Sequence, residues 1–310
     1  MSLPVPSRSA LIAALPAMFV LLWSTGFIGA RFVLPHAQPL TVLGLRFAIT
    51  VLLFLPVIWW SRAPWPATPI LAGHAAVTGL LLHGAYLGGV FVGIAWGMPA
   101  GLASLIVGLQ PLLIAVAAGP LLGERVSARQ WAGLGLGLVG VVMVLGEKLA
   151  PAGATLFEGF GWPAVAACLF ALVGISAGTL YQKRFCGGLD ARTGAVFQFG
   201  AAMVLMALMV WLTGEDTTID WTPGFIFGLA WLVVVLSVGA VTLLMALIRL
   251  GEAARVASLF YLVPPVTALI AWALFDEKLG GLALAGMAVA VAGVAMATGG
   301  GTVTRKQPGA

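Results

Sequence analysis

The sequence predicts an all-α integral membrane protein of ten transmembrane helices, arranged as two inverted five-helix repeats with both termini in the cytoplasm. Three observations predict it. The chain is 61% hydrophobic and only 8% charged, where soluble domains are about a quarter charged. Its apolar residues gather into ten stretches, most of them near the ~20 residues that a spanning helix needs. The two halves match each other at a steady spacing of 152 to 154 residues.

The stretches run Leu11–Ala30, Pro39–Trp59, Leu71–Ile94, Pro99–Leu121, Gln130–Leu145, Trp162–Tyr181, Ala191–Leu212, Pro223–Ile248, Ala253–Phe275 and Gly280–Thr298. Arg8 before the first gives it the look of a signal peptide, but its length is that of a full span, so it is expected to be retained. With the N-terminus inside, the loops on the cytoplasmic side hold Arg8, Arg62, Arg125, Arg129, Lys183, Arg184, Arg192, Arg249, Arg255, Arg305 and Lys306. The outer side holds Arg31, Lys148 and Lys278. That split follows the positive-inside rule, and miscounting by one span would scramble it. Trp59, Trp60, Trp96 and Trp221 sit at span ends, as belt anchors do.

Ala103-Ser104-Leu105 recurs as Ala257-Ser258-Leu259, Pro111 as Pro265, and Gly133, Gly140 and Met143 as Gly286, Gly293 and Met296. Ser24 meets Ser176, and Arg46-Phe47 meets Gln198-Phe199. The units are therefore residues 1–150 and 151–310, the second with a short cytoplasmic tail. Five helices per unit is an odd number, so the second must enter the membrane from the opposite side. Two similar halves can exchange conformations at nearly equal energy. That favours alternating access, hence a transporter over a membrane enzyme.

Composition also excludes a soluble enzyme, a disordered tail and a nucleic-acid binder, since the net charge of +5 is spread too thinly for a binding stripe. Cys168 and Cys186 set no disulfide framework. There is no HExxH, CxxC or Walker A pattern, so no metal, cofactor or direct ATP coupling is expected. A polytopic enzyme acting on lipid would need clustered His, Asp or Glu near one membrane face, and none is present.

The segments LLWSTGFIGARF, LRF, GMPAGLASLIVGLQPLL and GERVSARQWAGLGLGLVGVVMV, with GEAARVASLFYLVPPVTALIAWALFDEKLGGLALAGMAVAVAGVAMA in the second half, carry a resemblance. The chain resembles the EamA branch of the drug/metabolite transporter superfamily over nearly its whole length, and is similar in plan to bacterial amino-acid and metabolite exporters. The resemblance implies export of small metabolites, commonly amino acids, across the inner membrane through a cavity between the halves. It implies no particular substrate-binding residue.

Polar groups at membrane depth are the candidates for that cavity. No carboxylate lies at mid-depth. His83 and Tyr86, three residues apart, share a helix face. They either line the cavity, with His83 able to carry a proton, or bridge helices through hydrogen bonds. Gln110-Pro111 and its counterpart Pro264-Pro265, with Tyr261 a turn earlier, lie near mid-membrane. Gln110 and Tyr261 are candidate substrate contacts and the three prolines candidate hinges. Trp23 and Ser24, with Ser176 opposite, and Ser237 complete the candidate set. For Arg46 the favoured reading is snorkelling, or pinning of a neighbouring helix, over holding a substrate carboxylate. The glycine-rich faces of spans five and ten serve packing within the chain or, alternatively, a homodimer. The expectation is a carrier that moves an amino acid or similar metabolite outward, by facilitated diffusion or, in the alternative, by proton antiport through His83.

Overall fold

The computed structural model describes residues 8–98, 100–123, 125–149, 161–250, 253–275 and 280–298. Among these residues there is no strand. The helices are α1 (Arg8–Ser24), α2 (Gly26–Val33), α3 (Pro39–Ser61), α4 (Pro69–Ala95), α5 (Ala100–Val107), α6 (Gln110–Leu122) and α7 (Ala128–Leu149) in the first half. In the second half they are α8 (Trp162–Phe185), α9 (Ala191–Thr213), α10 (Pro223–Arg249), α11 (Ala253–Ser258), α12 (Val263–Phe275) and α13 (Gly281–Thr298), with a 3₁₀ turn at Leu259–Leu262 before α12. Six of them, α3, α4, α8, α9, α10 and α13, are long and apolar enough to cross a membrane. The loop 150–160, where the two sequence units meet, lies outside the described residues.

Local chemistry sets the ends, and it does so twice. Thr68 and Thr222 each cap a helix: their hydroxyls accept from Leu71 N and Phe225 N, and a proline follows at the first helical position. Midway, α4 widens into a π-helical turn over Leu80–Ala85, and α10 does the same over Leu232–Ala240. The two π turns begin at the spacing seen in the sequence. A π turn leaves the regular hydrogen-bond ladder and often marks a functional site.

The prolines expected to bend mid-span helices sit instead at helix starts. The turn Gly108–Leu109 separates α5 from α6, so Pro111 falls in the first turn of α6, where its missing N–H costs nothing. Pro264 and Pro265 follow the 3₁₀ turn in the same way.

Two pairs of equivalent helices, α3 with α9 and α7 with α13, pack on each other antiparallel. Glu215, just past the end of α9, accepts from Thr41 N at 2.7 Å and Thr41 Oγ1 at 2.9 Å at the start of α3. At the opposite ends, Thr193 Oγ1 donates to Pro64 O at 2.9 Å. Between these ties Phe47 packs on its counterpart Phe199, ring centroids 5.7 Å apart. Helices α7 and α13 meet through glycine. A Cβ on Gly133 would lie 2.6 Å from Ala297 N, and one on Gly140 would run into Ala290 N. The glycine faces of these two helices thus pack within the chain. Outward-facing residues are apolar, with Trp59, Trp60, Trp162 and Trp211 exposed at helix ends, the distribution that a lipid solvent favours.

Candidate substrate cavity

A partly enclosed space lies between α1, α2, α3, α4 and α10. It holds about 560 Å³, mouth included, and is lined mainly by apolar side chains, among them Leu82, Val90, Phe91, Ile94, Leu232 and Leu236. Its polar wall is Trp23, Arg46, His83 and Tyr86. A second space of about 270 Å³ is lined by Trp23, Tyr86, Ser104, Val107, Gly108, Phe260, Val263 and Pro264. Trp23 and Tyr86 therefore stand between the two chambers. Their rings are stacked, 6.3 Å apart and within 8° of parallel, and Phe260 meets Trp23 edge-on at 5.3 Å.

Arg46 is the group whose position the sequence hid. It is 3% exposed and lies about 10 Å along α3 from Pro39. It does not snorkel; it pins the neighbouring helix α10, the other half of the favoured reading. Its Nε donates to Ser237 Oγ at 2.8 Å, and Ser237 in turn donates to Leu232 O at 3.1 Å. The π turn of α10 makes this possible, because it presents the carbonyl five residues back. No carboxylate pairs with Arg46 among the described residues. A clue was present in the sequence: Thr50, one turn on, shares its face and is also buried.

His83 is 2% exposed. Its ring stacks on Phe199 at 4.1 Å and lies near Phe47 at 6.0 Å. Its Nε2 has no partner in the protein, and the Oε1 of Gln198 is likewise buried and unpaired. Gln198 is the repeat counterpart of Arg46, and Ser237 lies at the spacing that relates His83 to the second half. The bonded pair Arg46–Ser237 thus has Gln198 and His83 at the matching positions of the other half, both with an unpaired buried polar atom.

The other candidates are not on the wall of the larger chamber. Ser24 is bonded to Val20 O at 2.7 Å and lies 3.3 Å from Val263 O, tying α1 to α12. Ser176 is bonded to Leu172 O. Gln110 donates to Thr179 Oγ1 at 3.2 Å, leaving its Oε1 unpaired, and Tyr261 is fully buried with its hydroxyl unpaired. The Tyr261 ring covers Gly137. Of the prolines, Pro264 lines the smaller chamber, whereas Pro111 and Pro265 are buried in packing.

At the start of α9, the Arg192 guanidinium holds the Asp190 carboxyl below the usual carboxylate range. Hydrogen bonds from Thr218 do the same to Asp216. Burial pushes the Cys186 thiol up, which disfavours a nucleophilic thiolate there. No cluster of three metal-ligating side chains occurs among the described residues.

This geometry has relatives. A Salmonella typhimurium (strain LT2) protein named as a probable amino-acid metabolite efflux pump is 29% identical over 308 residues, spanning 90% of this chain and 92% of its own. The Escherichia coli (strain K12) inner membrane transporter YedA, itself uncharacterized, is 28% identical across 93% of this chain and 90% of its own. A solved crystal structure superposes with a TM-score of 0.73 at 24% identity, covering 94% of this chain and 97% of that one. The model of the EamA-like transporter family matches twice, over residues 8–146 and again over 162–299. With two copies of that unit filling nearly its whole length, and helices apolar enough to span a bilayer, this multi-pass membrane chain belongs to the EamA-like transporter family.

Proposed function

We propose that the protein is an inner-membrane carrier that exports amino acids or similar small metabolites by alternating access. In this reading ten spans form two inverted units, residues 1–150 and 151–310, with both termini in the cytoplasm. The antiparallel packing of α3 on α9 and of α7 on α13 supports the inversion, because equivalent helices related by an axis in the membrane plane must run oppositely. The names of the relatives support the direction and the substrate class. The observation that carries the reading is the buried guanidinium of Arg46 on the wall of a mainly apolar chamber. Leaving a charge unpaired away from water costs several kcal/mol, and a chain keeps such a group where a ligand completes it. The Trp23–Tyr86 partition is the barrier that rearranges as access alternates.

Transport runs down the substrate gradient, since among the described residues no carboxylate lines either chamber to couple it to a cation. Counterflow tests this in liposomes holding purified protein and a mixed pool of amino acids and their 2-oxo acids. Saturable counterflow of label, with equal extent with and without an imposed pH gradient, is the expected result. A second reading rests on the unpaired Nε2 of His83: proton antiport through that ring. Accumulation driven by the pH gradient and abolished by His83→Ala would replace uniport with antiport.

A further inference from the structure

The larger chamber is lined by the positive Arg46, with no counter-charge among the described residues. Among the described residues Nε is the only guanidinium nitrogen of Arg46 with a hydrogen-bond partner. Ser237 fixes the guanidinium through that one bond and leaves its terminal amines for a ligand. Two parallel N–H donors match a carboxylate in geometry and charge. The second ionisable group on the wall, His83, is buried with an unpaired Nε2. It adds a donor when neutral in the matching tautomer and a positive charge when protonated.

We propose that this chamber takes a monocarboxylate with an apolar body and no free ammonium group, such as a 2-oxo acid or an N-acylated amino acid, in preference to the zwitterion. The proposal rests on the carrier reading above and deepens it. An α-ammonium bound beside its own carboxylate would sit close to Arg46, where apolar walls weaken screening and like charges repel more strongly than in bulk water. It would also need an acceptor, and the lining residues contain no Asp or Glu. The aromatic faces offer poor substitutes. Trp23 and Tyr86 are stacked on each other, and Phe260 abuts Trp23. The remaining wall is aliphatic or aromatic, which suits a branched or aromatic body. A phosphate dianion, which would call for several cationic or polar donors, does not suit this wall.

The test uses purified full-length protein in liposomes, with protein-free liposomes subtracted. Three probes share one body: labelled 4-methyl-2-oxopentanoate, leucine and leucinamide, with inorganic phosphate as competitor. The oxo acid is expected to show a counterflow KM at least about tenfold below that of leucine. Leucinamide should give no counterflow and phosphate no competition. In Arg46→Gln, which installs the residue found at the equivalent position of the other half, the preference for oxo acid over leucine should vanish. Should that variant fail to fold, the comparison of the three probes on the unaltered protein still decides. Leucine carried as well as the oxo acid, or better, overturns the proposal while leaving the carrier reading standing. Phosphate competing as effectively as the oxo acid overturns the carboxylate class. Counterflow of none of the probes overturns both.

Discussion

At the scale of single residues, Arg46 decides the character of the cavity and works against the stability of the fold. Its charge is buried with one neutral partner, Ser237. Replacing a buried charge by an apolar side chain of similar length is often neutral or stabilising by about 1–4 kcal/mol. Arg46→Met is therefore expected to raise the thermal unfolding midpoint in detergent while abolishing counterflow. A lower midpoint would mean that Arg46 is held by more than Ser237. The sequence placed His83 and Tyr86 on one helix face, and the structure puts both on the cavity wall. It hid the state of Arg46 because hydropathy registers a charge in a span but not which neighbour covers it. The neutral Gln198 at the equivalent position also argued for a bland role. Ser24, Ser176 and Gln110 looked like cavity groups for the opposite reason. Polarity at depth is visible in a sequence, but the bonds these side chains donate to Val20 O, Leu172 O and Thr179 Oγ1 are not.

Among the helices, those long and evenly apolar could be read in advance, and α3, α8, α9 and α13 begin within two residues of the expected stretches. The breaks inside the others could not. The turn at Gly108–Leu109 and the π turns of α4 and α10 leave hydropathy unchanged, so nothing in the apolar pattern announces them. Glycine position within a helix carries sharper information. Gly133 and Gly135 are two residues apart on α7, yet a Cβ on the first meets the α13 backbone, and on the second meets nothing within 4 Å. Gly133→Ala should separate α7 from α13 and lower the yield of folded protein. Gly135→Ala should be neutral or stabilising by up to about 1 kcal/mol from helix propensity. Chromatographic monodispersity and melting of the two variants make the comparison; equal behaviour would remove the close-packed seam. The start of α9 offers a pH-dependent case. Asp190 caps it, accepting from Arg192 N at 2.9 Å, and its side chain grips the Arg192 guanidinium at 2.9 and 3.0 Å. Its carboxyl titrates below the usual 3.8. The stabilisation is fully present above that value and is lost as pH falls through the lower, folded-state value. Asp190→Asn keeps the cap and should flatten the melting profile below about pH 4. Asp190→Ala should cost about 1 kcal/mol at neutral pH.

Over the whole molecule, a few contacts sort the loops into two faces. The end of α9 is tied to the start of α3 through Glu215 and Thr41, and on the same face His36 Nδ1 meets Asp220 Oδ2 at 3.2 Å. Loops 34–38 and 214–222 therefore share one face. Thr193 and Pro64 bring together the loops at 62–68 and 186–190 on the other. That second face carries Arg62, Lys183, Arg184 and Arg192, so a bilayer obeying the positive-inside rule places it in the cytoplasm. The grouping by contacts and the grouping by charge are independent, since none of these contacts involves the basic side chains. Their agreement makes orientation testable with two substitutions in a chain whose own Cys168 and Cys186 are buried. A membrane-impermeant maleimide added to intact cells should label Thr217→Cys, on the first face, and leave Gly187→Cys unlabelled until the membrane is opened. Both sites are exposed, so lack of labelling reports the side of the membrane. The reverse pattern would put the charged face outside and turn the proposed exporter into a chain inserted the other way up. Labelling of both from outside would place the two loops on one side, which two antiparallel equivalent helices spanning the same bilayer do not permit.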